Sequence, residues 1–107
     1  MVEHFRRTDP RYDRRVDVEI LVDGKEIHTV SRNLSLGGMF VETDDPLPEQ
    51  TSIQVRFKVP TQPELIDVSG EVRWLEPSQP GRPGGMGIRF HGLRARDVWA
   101  LNRFFQS

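Results

Sequence analysis

The sequence predicts an all-β domain: six short antiparallel strands, preceded by an arginine-rich segment and closed by a C-terminal helix. Three observations carry this expectation. Apolar residues recur at every second position in several runs, the spacing of strands with one buried face. Turn-forming residues separate these runs at short, roughly regular intervals, as in a small antiparallel barrel or sandwich. Only near the C-terminus does the spacing change to three and four, at Val98, Leu101 and Phe105.

The whole-chain composition narrows the function classes. A length of 107 residues corresponds to one domain with a modest core. An apolar content of 36% with 29% charged residues fits a folded domain rather than a disordered tail. The formal net charge of -1 gives no global field to recruit nucleic acid or an anionic membrane, so any anion must be bound by a local cluster. The absence of cysteine excludes disulfides, thiolate metal sites and a cysteine nucleophile, and agrees with a reducing compartment. No apolar run approaches the ~18–20 residues of a membrane span, and the polar N-terminus has no signal-peptide core. The expectation is a cytoplasmic domain with no membrane span.

In chain order, residues 1–15 carry five arginines against three acids, and Pro10 interrupts any early helix. They are expected to form a flexible segment distinct from a barrel over 16–107. Val16, Val18, Ile20 and Val22 alternate with Asp17, Glu19 and Leu21 as a first strand. Asp23-Gly24 is a turn dipeptide, which makes 15–32 a hairpin whose second arm runs from Lys25 to Ser31. Met39 to Thr43 is a short apolar strand, and the prolines and acids of Asp44 to Gln50 form a loop. Ile53, Val55, Phe57 and Val59 alternate with Gln54, Arg56 and Lys58. Ile66, Val68, Gly70, Val72 and Trp74 share one parity, with Asp67, Ser69, Glu71 and Arg73 on the other. Ser78 to Gly85 is a Pro/Gly-rich loop, and Met86, Ile88 and Phe90 mark the last strand. Asp97 is placed to cap a helix whose Val98, Leu101 and Phe105 stripe is flanked by Trp99 and Phe104. That helix is expected to serve as a lid over an open barrel end, with docking of a partner as the alternative role.

The chemistry concentrates in two stretches. Arg7 and Arg11 stand four apart on either side of a proline, and an arginine guanidinium both forks onto phosphate oxygens and stacks on an aromatic face. Arg11 and Arg15 have the same spacing, but Arg15 would sit at the start of the first strand. Asn33 and Ser35 point to one side of an extended segment and offer donors and acceptors to the edge of a base. Gly37 and Gly38 allow positive φ and close backbone approach, either for a ligand or for an ordinary strand bend. Trp74 ends a strand and is a candidate for stacking on a base, although core packing is the commoner role there. His4, His28 and His91 lack metal-ligand spacing, no nucleophile–base pair stands out and no phosphate-cradling loop is present, so neither a metal, a cofactor nor catalysis is expected.

Arg7-x-x-x-Arg11 followed by Asn33-x-Ser35-x-x-Gly38 resembles the PilZ domain, whose signature is RxxxR and then (D/N)xSxxG. Gly70-Glu71-Val72-Arg73-Trp74 and Gly85-Met86-Gly87-Ile88-Arg89-Phe90 look like the late strands of that family. The resemblance implies a six-stranded antiparallel β-barrel that binds the second messenger cyclic di-GMP. It implies that Arg7 and Arg11 wrap over guanine and phosphate while Asn33, Ser35 and Gly38 hold the ligand from the barrel surface; Gly37, beside Gly38, is a candidate by its own lack of a side chain. Arg6 stands where the family influences whether one ligand or an intercalated pair is bound, and Trp74 is a candidate stacking residue. The implied function is a non-enzymatic receptor that relays ligand binding to an unidentified protein partner. The alternative is an adaptor of the same fold with little or no nucleotide affinity. A nucleic-acid polymer is not an expected partner, because the charge is spread along the strands without a basic groove.

Overall fold

A computed structural model of the chain describes residues 10–107. Asp23 and Gly24 take φ of 49° and 76°, the left-handed pair that a two-residue hairpin turn demands. They join β1 (Asp17–Val22) to β2 (Lys25–Leu34), which runs three residues beyond the expected second arm. The remaining elements are β3 (Gly38–Glu42), β4 (Ser52–Phe57), β5 (Ile66–Glu76), β6 (Gly85–Phe90) and α1 (Ala95–Gln106). The strands close into a barrel in the order β1-β2-β3-β6-β5-β4, and every neighbouring pair is antiparallel. Closure pairs the backbone groups that an open sheet edge would expose. Of the two architectures the strand pattern allows, the barrel is the one formed.

Alternation fills the interior. Val18 and Ile20 of β1, Ile53 and Val55 of β4, and Met86 and Ile88 of β6 all point into one buried cluster. In two places a β-bulge breaks the alternation. In β2, Ser31 pairs with Val41 and Asn33 with Phe40, which leaves Arg32 as an extra residue. In β5, Val72 pairs with Ile88 and Trp74 with Gly87, which leaves Arg73 extra. A bulge shifts the pleat by one residue, so two successive side chains leave on the same side. Buried Ser31 and Leu34 bracket outward Arg32 and Asn33, and core Val72 precedes outward Arg73 and Trp74. The shared parity of Val72 and Trp74 placed both on the core face; the bulge takes Trp74 out of it.

One barrel end is closed by α1. Ala100, Leu101 and Phe105 join the core cluster, the Thr61 hydroxyl donates to the Ala100 carbonyl at 2.6 Å, and Tyr12 stacks on Phe105 with centroids 4.1 Å apart. The helix is thus the expected lid. Its start is not where the sequence places it: Arg94 occupies the N-cap position and no side chain caps it. Asp97 lies in the first turn, buried, and its carboxylate accepts a hydrogen bond from Gln62 Nε2 at 2.9 Å. A carboxylate there still favours the positive end of the helix, and its side chain is spent on the β4–β5 connection instead of on a cap.

Candidate ligand-binding site

The wall formed by β2, β3, β6 and β5 carries the residues that the sequence singles out. Its outer surface is shaped by glycines on β6. A Cβ on Gly87 would meet three ring atoms of Trp74 at 2.2–2.3 Å, and one on Gly85 would meet two ring atoms of Phe40 at 2.7 and 2.9 Å. Two aromatic rings therefore lie flat on a strand that offers no side chain to prop them up. Phe40 is buried but stands outside the core cluster, on the outward parity between Met39 and Val41. Its centroid is 6.3 Å from that of Trp74.

Arginines cover both rings. The Arg11 guanidinium lies 5.0 Å from the centroid of Trp74, and its Nη1 donates to Asn33 Oδ1 at 2.7 Å. The Arg32 guanidinium lies 4.4 Å from the centroid of Phe40 and reaches Glu42 and Glu76 at 3.6 and 3.4 Å. Arg11 comes from before β1, Asn33 from the bulged end of β2 and Trp74 from the bulged part of β5. The main chain makes this possible. Tyr12 and Leu34 exchange two hydrogen bonds of 2.9 Å, which fixes Arg11 beside Asn33. Ser31 in turn donates to the Arg14 carbonyl at 2.7 Å and accepts from the Val16 amide at 2.9 Å.

Ser35, Gly37 and Gly38 form the turn that ends β2. The buried Ser35 hydroxyl accepts from the Gly37 and Gly38 amides, both at 3.1 Å, and lies 3.2 Å from the Gly38 carbonyl, to which it donates. The side chain thus shapes the backbone of the turn. Neither glycine adopts positive φ; Gly24, Gly81 and Gly92 do. Glycine is needed at 38 for another reason, since a Cβ there would stand 2.0 Å from the Ile88 carbonyl oxygen. Arg6 and Arg7 lie outside the described residues. The structure therefore brings together Arg11, Asn33 and Trp74, with the Ser35–Gly38 turn following Asn33 in the chain.

The rim of this wall is electrostatically ordered. Both Arg15 terminal nitrogens approach the two Glu42 carboxylate oxygens at 3.3 Å, and Arg32 stands on the other side. This pairing, led by the hydrogen bonds from Arg15, holds the Glu42 carboxyl below its usual value despite partial burial.

Sequence reasoning missed Phe40, Arg32 and the two β6 glycines. Phe40 reads as one more residue of an apolar run, and the Gly85-x-Gly87 spacing was the available signal of a smooth outward face. It also missed a cluster on another wall. The register of β1 and β2 sets Glu19 opposite His28, and Glu26 lies two residues before it, so their ligand atoms fall within 4.8 Å of one another. The His28 Nε2 contacts are 3.4 Å to Glu26 and 3.7 Å to Glu19, with His28 and Glu26 well exposed. An open groove lined by Val18, His28, Val30, Arg56, Lys58 and Leu65 runs along the same side. The groove is lined from β1, β2 and β4, whereas Trp74 stands on β5 and Asn33 at the far end of β2.

The family model for the PilZ domain matches residues 5–107. This chain belongs to the PilZ domain family. Its fold is similar to the inhibitor of motility MotI/DgrA of Bacillus subtilis, with a TM-score of 0.81 and 27% identity over 94% of this chain. The match covers 49% of that protein, so this chain spans about half its length. The PilZ domain of YcgR from Escherichia coli, solved with c-di-GMP, aligns with a TM-score of 0.69 and 16% identity over 94% of this chain and 92% of that one. No curated protein matches the chain. In this PilZ domain the part of the arginine signature within the described residues, Arg11, is seated against the first residue of the second signature, Asn33. Among the described residues, no helix is long and apolar enough to cross a membrane.

Proposed function

We propose that this PilZ domain is a non-enzymatic receptor for cyclic di-GMP that relays binding to a protein partner through its N-terminal segment. One observation carries the reading: Arg11 is held between Asn33 Oδ1 at 2.7 Å and the Trp74 ring at 5.0 Å. A guanidinium has five donors, so one hydrogen bond to Asn33 leaves others for phosphate oxygens or for the O6 and N7 edge of guanine. The Arg11–Trp74 stack provides a flat, cation-backed surface suited to a base. In this reading Arg7 adds a second guanidinium to the same ligand, and Arg6 bears on whether one molecule or an intercalated pair is held. Ser35, Gly37 and Gly38 contribute by setting the backbone that follows Asn33.

Calorimetric titration of the domain with cyclic di-GMP tests this directly. Each charge-assisted contact contributes about 1.5–3 kcal/mol. Arg7→Ala and Arg11→Ala are therefore each expected to weaken binding at least tenfold, with stoichiometry read from the wild-type curve. Unchanged affinity in both variants overturns the assignment.

The Arg11–Asn33 hydrogen bond also ties the segment before β1 to the barrel, which favours a second reading: an adaptor that keeps the fold and uses the pair structurally. That reading predicts no heat of binding from the wild-type domain at high micromolar cyclic di-GMP.

A further inference from the structure

We propose that the outward face of α1 is a docking surface for an acidic segment of a protein partner, with Trp99 as its anchor. The helix turns Asp97, Ala100, Leu101 and Phe105 into the molecule. At 100° per residue Trp99 lies on the opposite side from Asp97 and Leu101, so it points directly away from the barrel. It is 64% exposed, above Leu65 at 52% and Leu75 at 38%. A tryptophan left this open, on the helix face turned away from Ala100, Leu101 and Phe105, has no role in packing the core.

The surroundings of Trp99 specify the partner's charge. Arg96 and Arg103 stand three residues before and four after it, on the same face, and the Arg103 guanidinium lies 4.9 Å from the Trp99 ring centroid. Arg94 precedes the helix and is also exposed. Asp97, the one acid between 92 and 107, is 1% exposed. Every ionisable group presented by this face is therefore an arginine, on a chain whose net charge is -1. The positive charge is local, which suits a local acidic complement better than an extended anionic polymer or a lipid surface. Tryptophan and arginine are also the residue types that dominate protein–protein hot spots. The stacked Trp99–Arg103 pair is already ordered, which lowers the entropy cost of docking. This surface stands apart from Arg11, Asn33 and Trp74 and holds whether or not cyclic di-GMP binds there.

The test uses the full chain carrying photoreactive benzoylphenylalanine at Asn102, an exposed neighbour of Trp99, and at Lys58 on the barrel wall as control. Irradiation in the source cells is expected to give a protein adduct from position 102 and not from 58. Its cross-linked peptide should be rich in Asp and Glu. Trp99→Ala and the pair Arg96→Glu with Arg103→Glu should each lower the yield at least tenfold. Because Arg96 Nε also lies 3.5 Å from the buried Asp97 carboxylate, Arg103→Glu alone is the charge variant expected to lower the yield with thermal melting unchanged, as is Trp99→Ala, both side chains being exposed. Replacing the partner's acids by lysine should restore capture by the double charge-reversal variant. Independently of any variant, raising salt should weaken the wild-type interaction. The proposal is overturned by no adduct, by an adduct to lipid, nucleic acid or a second copy of the chain, or by a cross-linked peptide without acidic excess.

Discussion

Gly87 shows how one missing side chain organises the candidate site. Trp74 rests on Gly87, Arg11 rests on Trp74, and Asn33 accepts from Arg11. A methyl group at 87 would press into the face of the ring, and because the obstacle is a side chain the indole can swing away instead of forcing strands apart. Gly87→Ala is expected to displace the Trp74 ring, to cost about 1–3 kcal/mol of stability and to release Arg11 from its stack. Tryptophan emission in a Trp99→Phe background, which isolates Trp74, checks the displacement; an unshifted spectrum contradicts it. Gly38 differs in kind. The atom its Cβ would meet is the Ile88 carbonyl oxygen, so there the strand itself must yield.

At the scale of elements, the short segment between Pro10 and β1 links the candidate site to the lid. Arg11 faces Trp74 and Asn33 while Tyr12 stacks on Phe105, with rings inclined by only 10°. Arg14 Nη2 donates to the Phe105 and Ser107 carbonyls at 3.2 and 3.3 Å, where a helix leaves acceptors unsatisfied and favours positive charge. Removing the Tyr12 ring should therefore loosen α1 from its C-terminal end. Tyr12→Ala is expected to cost about 2 kcal/mol, from lost aromatic contact and incomplete collapse of the gap. Urea denaturation measures the loss, and hydrogen exchange should quicken at the amides of Phe104 to Ser107 before those of β4. Equal protection of those amides in the two proteins would show that the stack does not hold the helix.

Across the whole molecule, ion pairs tie distant parts of the chain together at the barrel wall. Glu42 of β3 is gripped by Arg15 from before β1 and by Arg32 of the β2 bulge. Its carboxyl is held below the usual value near 4.5, so this pairing stabilises the fold fully above that value and is lost as pH falls through the lowered one. Wild type and Glu42→Gln should therefore differ in unfolding free energy by a constant amount from neutral pH down to about 5. The difference should shrink towards zero as the pH is taken further down, because a protonated Glu42 and a glutamine carry the same charge. A gap that stays constant into that acid range would rule out the pairing as its source.

Much of this architecture is determined by the sequence alone. Alternation places β1, β4, β5 and β6, the Asp23-Gly24 turn and a short apolar run place β2 and β3, and the Val98, Leu101 and Phe105 spacing marks a lid. The arginine and Asn33-x-Ser35 motifs also identify the two stretches that Arg11 and Asn33 join. Local pattern suffices in these cases because each feature depends on residues within a few positions of one another. The tertiary structure decided the rest. Trp74 shares its parity with Val72, yet it lies outside because β5 gains a residue against β6 there. Arg32 and Asn33 leave the barrel together because β2 gains one against β3. Phe40 became part of the site only when β6 offered it a glycine face, and Asp97 became a buried contact because Gln62 reached it. A bulge or a glycine bed belongs to a pair of strands, and the periodicity of either strand alone does not contain it.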